Sequence, residues 1–291
     1  MKNHIIAMKT LYNSIKILSL FIGFSTLILI TSCGGGDDDA APAEVDPSDA
    51  DALTGVLVIP GSQNVGGQPP APSTDSDAPN VFGNQTSATV VSDNTLYLPF
   101  NFESVQGYGG CYVQVNGATS YFDIPDGTST QDGLLVVPVG IPASVQEGDF
   151  CLTYCIYDNS GRVSNLLTTC VTVGPIQECP AFTSGSDGLT IATYDLGDSP
   201  GTATISYDMY SIQDRIDVFY NDQWIGGSGS SLGSSSFPPV SSCGDGQNGY
   251  VSGTGTIDVN YNPSTSRTVT VYMSGCIGGG TAWDLGVSCP Q

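Results

Sequence analysis

The chain has 291 residues, of which 12% are charged, and its formal net charge is −22. All three lysines and the single histidine precede Cys33, so the part after Cys33 sets three arginines against 28 acidic residues. Such a surface repels phosphate backbones, which excludes nucleic acid as a partner. The lack of histidine and lysine there also excludes Ser-His and Cys-His nucleophile pairs, Schiff-base lysines and histidine-ligated zinc. We therefore expect a protein that is not an enzyme and has no cofactor, except for a candidate Ca²⁺ bound through oxygen atoms.

Residues 1–32 have the pattern of a secretory signal peptide. Three lysines form a basic start, and residues 17–30 form an apolar run that ends in small residues. This run is shorter than the about 20 residues that a permanent membrane-spanning helix needs. The pattern predicts export, and in an exported chain the even number of cysteines after Cys33 indicates four disulfides.

The segment Ile30-Thr31-Ser32-Cys33 resembles the lipobox of bacterial lipoproteins, and the Gly-Gly-Gly-Asp-Asp-Asp stretch after it resembles the export signal of Bacteroidetes-type surface lipoproteins. The resemblance implies cleavage before Cys33 and acylation of its sulfur and amine. It also implies an outer-membrane protein that is exposed at the cell surface and meets the membrane only through its lipid anchor. Two or more acyl chains make such an anchor stable. An ordinary signal peptide, and the periplasmic rather than the extracellular face, remain alternatives.

Residues 33–78 are predicted to be a disordered acidic linker rich in Pro, Gly and Ser, with too little apolar surface to form a core. Residues 53–60 are an exception, and they either add a strand to the first domain or fray. From residue 79 onward, apolar residues alternate with polar ones between turn signals, which is typical of short strands. About seven strands over residues 79–174 indicate an immunoglobulin-like β-sandwich. Pro99 limits its strand to an edge or a bulge.

Residues 150–165 resemble the final hairpin of bacterial Ig-like and fibronectin-III-like modules. The turn at residues 158–161 predicts a register that places Cys151 opposite Cys170. Cys155 shares a face with Cys151, and we expect it to reach a neighbouring strand through Cys111. Four cysteines allow three pairings, so this is one of three alternatives.

Residues 176–291 show the same alternation and are predicted to form a second β-sandwich. The stretches 206–220 and 280–284 resemble a recurring C-terminal β-sandwich of bacterial secreted and surface proteins, and that resemblance implies neither an activity nor a ligand. Cysteines at both ends predict a Cys179–Cys289 bridge, which leaves Cys243 to pair with Cys276. The predicted fold class is all-β, with two consecutive antiparallel β-sandwich domains after the signal peptide and the linker.

Three groups of residues are candidate sites. The first is an acidic series that could bind Ca²⁺ through oxygen atoms: Asp208, Asp214, Asp217 and Asp222. The second is an aromatic set beside the Gly/Ser loop 226–236, which could form a platform for sugar rings: Tyr210, Tyr220 and Trp224. The third is a glycosidase-like carboxylate pair, with Asp217 and Asp284 as the example. A local ion pair at Asp214-Arg215, and aromatic residues that serve only the core, are the structural alternatives.

The sequence thus favours a non-catalytic cell-surface lipoprotein, a binding or adhesion module for a glycan or for another surface protein. The alternative is an accessory subunit, or a weak two-carboxylate hydrolase, of a polysaccharide-degrading system.

Overall fold

A computed structural model describes residues 43–125, 133–221, 223–229, 249–276 and 279–291. They form one short helix and eighteen strands. The first half of the chain contains α1 (Ala50–Val56), β1 (Gln63–Gly66), β2 (Asn80–Phe82), β3 (Ser87–Val91), β4 (Asn94–Glu103), β5 (Tyr108–Val115), β6 (Ser120–Pro125), β7 (Leu134–Ile141), β8 (Gly148–Asp158) and β9 (Leu167–Gly174). The second half contains β10 (Gln177–Glu178), β11 (Ala181–Ser186), β12 (Gly188–Asp195), β13 (Gly201–Asp208), β14 (Arg215–Tyr220), β15 (Gln223–Gly227), β16 (Thr254–Tyr261), β17 (Thr268–Gly275) and β18 (Ala282–Val287). The predicted all-β class is confirmed, and none of the described residues belongs to a helix long and apolar enough to cross a bilayer.

Three sheets organise these strands. The long sheet has eleven strands in the order β1-β6-β5-β8-β9-β3-β12-β17-β14-β15, with β10 attached to β12. The first cover sheet is β2-β4-β7, and the second cover sheet is β11-β18-β13-β16. Most pairings are antiparallel as predicted, but β3 runs parallel to both β9 and β12, and β10 runs parallel to β12. Both sandwiches therefore share one continuous sheet, in which β3 pairs with β9 of the first sandwich and with β12 of the second.

The two cover sheets lie on opposite faces of the long sheet. Leu189 and Ile191 of β12 belong to the first core, together with Leu96 of the first cover sheet. Ala192 and Tyr194 of the same strand belong to the second core, which the second cover sheet closes. Because successive side chains of a strand point to opposite faces, the sandwiches are stacked in a staggered, three-layer arrangement.

Residues 43–78 of the predicted linker are described, and they pack against the first sandwich, which corrects the prediction of a disordered segment up to residue 78. The Asp49 side chain caps α1 by accepting the N–H of Ala52 at 3.1 Å. Leu53 is fully buried in the first core, and Leu57 and Ile59 are buried there as well. The segment has few apolar residues of its own, and it is ordered because these residues pack into the core of the first sandwich. Residues 1–42, with the predicted signal peptide and Cys33, lie outside the described residues.

Two of the four predicted disulfides are confirmed. Cys151 opposes Cys170 across β8 and β9 and is bonded to it, as the predicted register requires. Cys179 is bonded to Cys289, which ties the start of the second sandwich to its end. Cys276 is also disulfide-bonded, and its predicted partner Cys243 lies outside the described residues.

The predicted bridge between Cys111 and Cys155 is wrong, because both are buried free thiols. Cys111 opposes Ile156 across β5 and β8, whereas Cys155 opposes Tyr112. The two cysteines are therefore one position out of register and point to opposite faces of the long sheet. Burial raises the pKa of both thiols, that of Cys155 to about 12.

Candidate functional site

The predicted calcium ligand Asp217 forms a buried ion pair with Arg215. The Arg215 guanidinium donates to it through Nε and Nη2, each at 2.7 Å, and Trp224 Nε1 donates to its Oδ1 at 2.9 Å. Both charged side chains are almost fully buried. A Cβ added at Gly229 would lie 2.8 Å from the Arg215 Nη1 atom, so the chain passes over the guanidinium at a position that only glycine fits. This pair anchors the start of the Gly/Ser loop against β14.

Asp214 is likewise engaged inside the protein. Its Oδ1 accepts the N–H of Cys276 at 3.1 Å, and its Oδ2 accepts the hydroxyl of Thr281 at 2.6 Å. Burial raises the pKa of Asp214, while these two hydrogen bonds act in the opposite direction. Asp222 lies outside the described residues, and within them no three carboxylate, cysteine or histidine groups come together to hold a metal ion.

The three predicted platform aromatics do not share a surface. Tyr220 opposes Gln223 and Trp224 opposes Phe219, so Tyr220 and Trp224 point to opposite faces of the long sheet. The Tyr220 hydroxyl donates to the carbonyl of Asn262 at 2.6 Å, on a loop beside the second cover sheet. Tyr210 lies in the turn that follows β13, beside the second cover sheet. The predicted platform is therefore not assembled.

Tyr210 instead joins two carboxylates on the outer face of the second cover sheet. Asp208 and Asp284 oppose each other directly across β13 and β18. The Tyr210 N–H donates to Asp208 Oδ1 at 2.9 Å, and the Tyr210 hydroxyl donates to Asp284. The hydrogen bond to Asp284 raises the pKa of Tyr210. Asp217 and Asp284 lie in different sheets, so they do not form the two-carboxylate pair considered from the sequence.

These groups stand at one end of a shallow groove of about 420 Å³. The groove crosses all four strands, because Phe182, Gly286, Ser206 and Thr256 oppose one another in turn. Gly286 has no side chain, and an added Cβ there would lie 2.8 Å from the Ser206 Oγ atom, so a larger residue would collide with Ser206. Phe182 forms the wall on edge strand β11, and the residue is 69% exposed.

The groove combines an exposed aromatic ring with carboxylate and hydroxyl oxygens. Opposed like charges destabilise a sheet, so the Asp208–Asp284 pair costs the fold stability that an uncharged pair would not. An exposed ring beside several hydrogen-bonding groups suits a ligand with one apolar and one polar edge, such as a sugar ring.

Sequence reasoning missed Phe182 and Gly286. A signal was present, because the stretch Ala181–Ser186 places small residues inward and its one large apolar residue outward. Gly286 gives no such signal, because it matters only through its position between Phe182 and Ser206, which strand pairing sets.

The fold and groove define an all-β, two-sandwich protein with a candidate ligand groove. No known protein family matches the sequence, and no curated protein matches it.

Three solved structures show partial similarity. The SrpA adhesin of Streptococcus sanguinis is 17% identical over 35% of this chain and 57% of the adhesin chain, with a TM-score of 0.23. This chain thus spans less than two thirds of that adhesin. The fibronectin(III)-like modules of Clostridium thermocellum CbhA are 11% identical over 63% of this chain and 78% of theirs, with a TM-score of 0.23. SGBP-B of the mixed-linkage glucan utilization locus of Bacteroides ovatus, solved with a mixed-linkage heptasaccharide, is 7% identical over 69% of this chain and 52% of its own, with a TM-score of 0.21.

Proposed function

We propose that this chain is a non-catalytic surface lipoprotein that binds a saccharide in the groove of the second cover sheet. The observation that carries the proposal is the exposed Phe182, which lies opposite Gly286 in the groove and has no side chain facing it there. A sugar ring seated there would stack its apolar face on Phe182. Its hydroxyls would lie beside Ser206 and Asp284.

The charge of the chain supports a neutral ligand. The three described arginines all pair with aspartates: Arg162 with Asp158, Arg215 with Asp217, and Arg267 with Asp195. An anionic glycan would therefore meet carboxylates in the groove without a described cation to offset them. Neutral glucans, xylans, mannans and galactans are the candidates that remain.

The anchoring part of the proposal rests on the segment that ends at Cys33. Mass spectrometry of the mature protein should find the N-terminal cysteine acylated, and Cys33→Ala should release the protein from the membrane fraction. An unmodified residue 33 in membrane-derived protein would overturn the anchor and leave the groove proposal unaffected.

The groove is tested by screening the mature protein against an array of neutral and acidic glycans, with and without Ca²⁺. Phe182→Ala should weaken binding about 10- to 100-fold, because burial of a Phe side chain contributes about 1.5–3 kcal/mol. Phe82→Ala is the matched control, since Phe82 is also an exposed aromatic on a short strand but belongs to the first cover sheet. Equal affinities of the two variants would refute the groove.

A further inference from the structure

A second cluster of aromatic side chains lies on the first half of the long sheet. Tyr112 of β5 opposes Asp123 of β6 on one side and Cys155 of β8 on the other, so it faces away from the first core. Tyr121 and Tyr157 share this face by the alternation of their strands. We call these three residues the tyrosine patch.

The patch is held in a fixed arrangement. Tyr157 lies against Gly110, where an added Cβ would overlap its ring, and its hydroxyl donates to Asp123 at 3.1 Å. The rings of Tyr112 and Tyr157 stack with their centroids 4.7 Å apart, and Tyr121 meets Tyr112 edge-on at 5.4 Å. Few rotamers remain to be lost when a ligand binds, so the arrangement is preorganised.

No described sheet covers this patch. The first cover sheet closes the opposite face of the long sheet, and the second cover sheet closes this face only over the second sandwich. Tyr112 and Tyr157 remain partly exposed and form the accessible part of the patch, whereas Tyr121 is buried beside them. Hydroxyl-bearing side chains continue from the patch across β8 and β9, where Thr153 and Thr168 contact each other at 3.0 Å.

The patch and the groove lie on the same side of the long sheet. Strand β11, which carries Phe182, lies over β12, because the Thr183 and Tyr194 hydroxyls are 2.9 Å apart. Four strand spacings separate β5 from β12, which amounts to about 19 Å. A ligand that touches both sites must therefore be an extended chain of several sugar rings.

The charges near the tyrosine patch determine which class of polymer can bind there. Asp123 and Asp149 lie on the same face as the patch. The three described arginines are each paired with an aspartate, so an anionic polymer or an acidic partner protein would be repelled. Aromatic rings with hydroxyl tips suit a neutral polymer that stacks and forms hydrogen bonds.

We propose that the tyrosine patch is a second binding site for the same neutral polysaccharide chain that occupies the groove. This inference rests on the proposed function of the groove. Two linked contacts on one chain raise the apparent affinity well above that of either contact alone. The protein should therefore prefer long chains to short oligosaccharides.

Affinity electrophoresis of the full mature chain in gels that contain soluble neutral β-glucan, xylan, galactomannan or starch tests the proposal. Hydrolysates of the polysaccharide that retards the protein then serve as short competitors. The Tyr112→Ala/Tyr157→Ala double variant should lose about tenfold or more in affinity for the polymer and less than about twofold for a disaccharide or trisaccharide. Phe82→Ala is the control, because Phe82 lies on the first cover sheet, on the far side of the same sandwich.

A measurement without substitutions keeps the proposal testable if the double variant does not fold. In the unmodified protein, the retarding polysaccharide should protect Tyr112 and Tyr157 from nitration. Tyr220, which is partly exposed and contacts Asn262 at the end of the second sandwich remote from the groove, should stay equally reactive. Nitration of the patch at the same rate with and without polymer would refute the second site.

The outcomes separate the two proposals. If Phe182→Ala weakens binding and the patch variant does not, the second site is refuted and the groove stands. If only the patch variant weakens binding, the groove proposal fails. The second site is also overturned if none of the four polymers retards the protein. It is overturned as well if the protein dimerises in a concentration-dependent way and the patch variant abolishes the dimer, because the patch would then be a contact between copies.

Discussion

The junction between the two sandwiches depends on the buried side chain of Gln85. Its Oε1 accepts the N–H of Leu189 on β12 at 2.6 Å, and its Nε2 donates to the carbonyl of Tyr97 on β4 at 3.2 Å. Only 3% of the residue is exposed, so water does not replace either partner. One side chain thus joins the first cover sheet to β12, the strand that contributes to both cores.

Gln85→Leu keeps most of the side-chain volume but removes both of these buried hydrogen bonds to the backbone. The loss of each costs about 1–3 kcal/mol, so we expect a loss of about 2–5 kcal/mol in the free energy of unfolding. Urea unfolding followed by circular dichroism and by tryptophan fluorescence measures this loss, because Trp283 is buried in the second core. In the unmodified protein both signals should change together, since the long sheet runs through both sandwiches.

The control is Gln63→Leu, because Gln63 is exposed on edge strand β1. Substitutions at such positions usually change stability by less than about 0.5 kcal/mol. If Gln85→Leu shifts the urea midpoint no more than this control does, the junction does not depend on Gln85.

Three further predictions concern the cysteines and one buried carboxylate. Replacing both Cys179 and Cys289 with serine should lower the free energy of unfolding by about 5 kcal/mol in the chain-entropy treatment, because the bridge closes a segment of 110 residues. Replacing both Cys151 and Cys170 should cost only about 3 kcal/mol, because that bridge closes 19 residues. Equal losses in urea unfolding would contradict this prediction. Thiol titration should find Cys111 and Cys155 unreactive in the native protein and reactive after unfolding without reductant, and the absence of released thiols would show that they are bonded. Burial raises the pKa of Asp214 above its ordinary value of 3.8, so the native state binds the proton more tightly than the unfolded chain does. Stability from this group should fall as the pH rises from about 3.8 through the folded pKa, and Asp214→Asn should remove that fall; parallel pH profiles of stability would refute the assignment.

Local sequence signals predicted the hairpin at the end of the first sandwich, but not the pairing of distant strands. Asp158 Oδ1 accepts the N–H groups of Ser160 and Arg162 at 2.8 and 2.9 Å, which shapes the turn and fixes the register of β8 and β9. The strands β5 and β8 have β6 and β7 between them in the chain, so no single turn sets their register. A one-residue error there was enough to make the Cys111–Cys155 prediction wrong.

The sequence predicted the existence of the second sandwich but not the groove on it. Alternation identified the strands, and Asp208 and Tyr210 were singled out for other roles. Their meeting with Asp284 depends on β13 pairing with β18, which are far apart in the chain. The continuous long sheet could not be predicted from the sequence either, because β3 pairs with β9 and β12 through backbone atoms, which give no sequence signal.

The shared strand β3 also limits how this protein can be divided or recombined. A fragment that stops after β9 would retain β3 with the edge that normally meets β12 open, and a fragment that starts at β10 would leave β12 open in turn. Unpaired strand edges recruit strands from other molecules. We therefore expect that neither sandwich is stable alone, and that the two should be inherited, expressed and grafted onto other proteins only together.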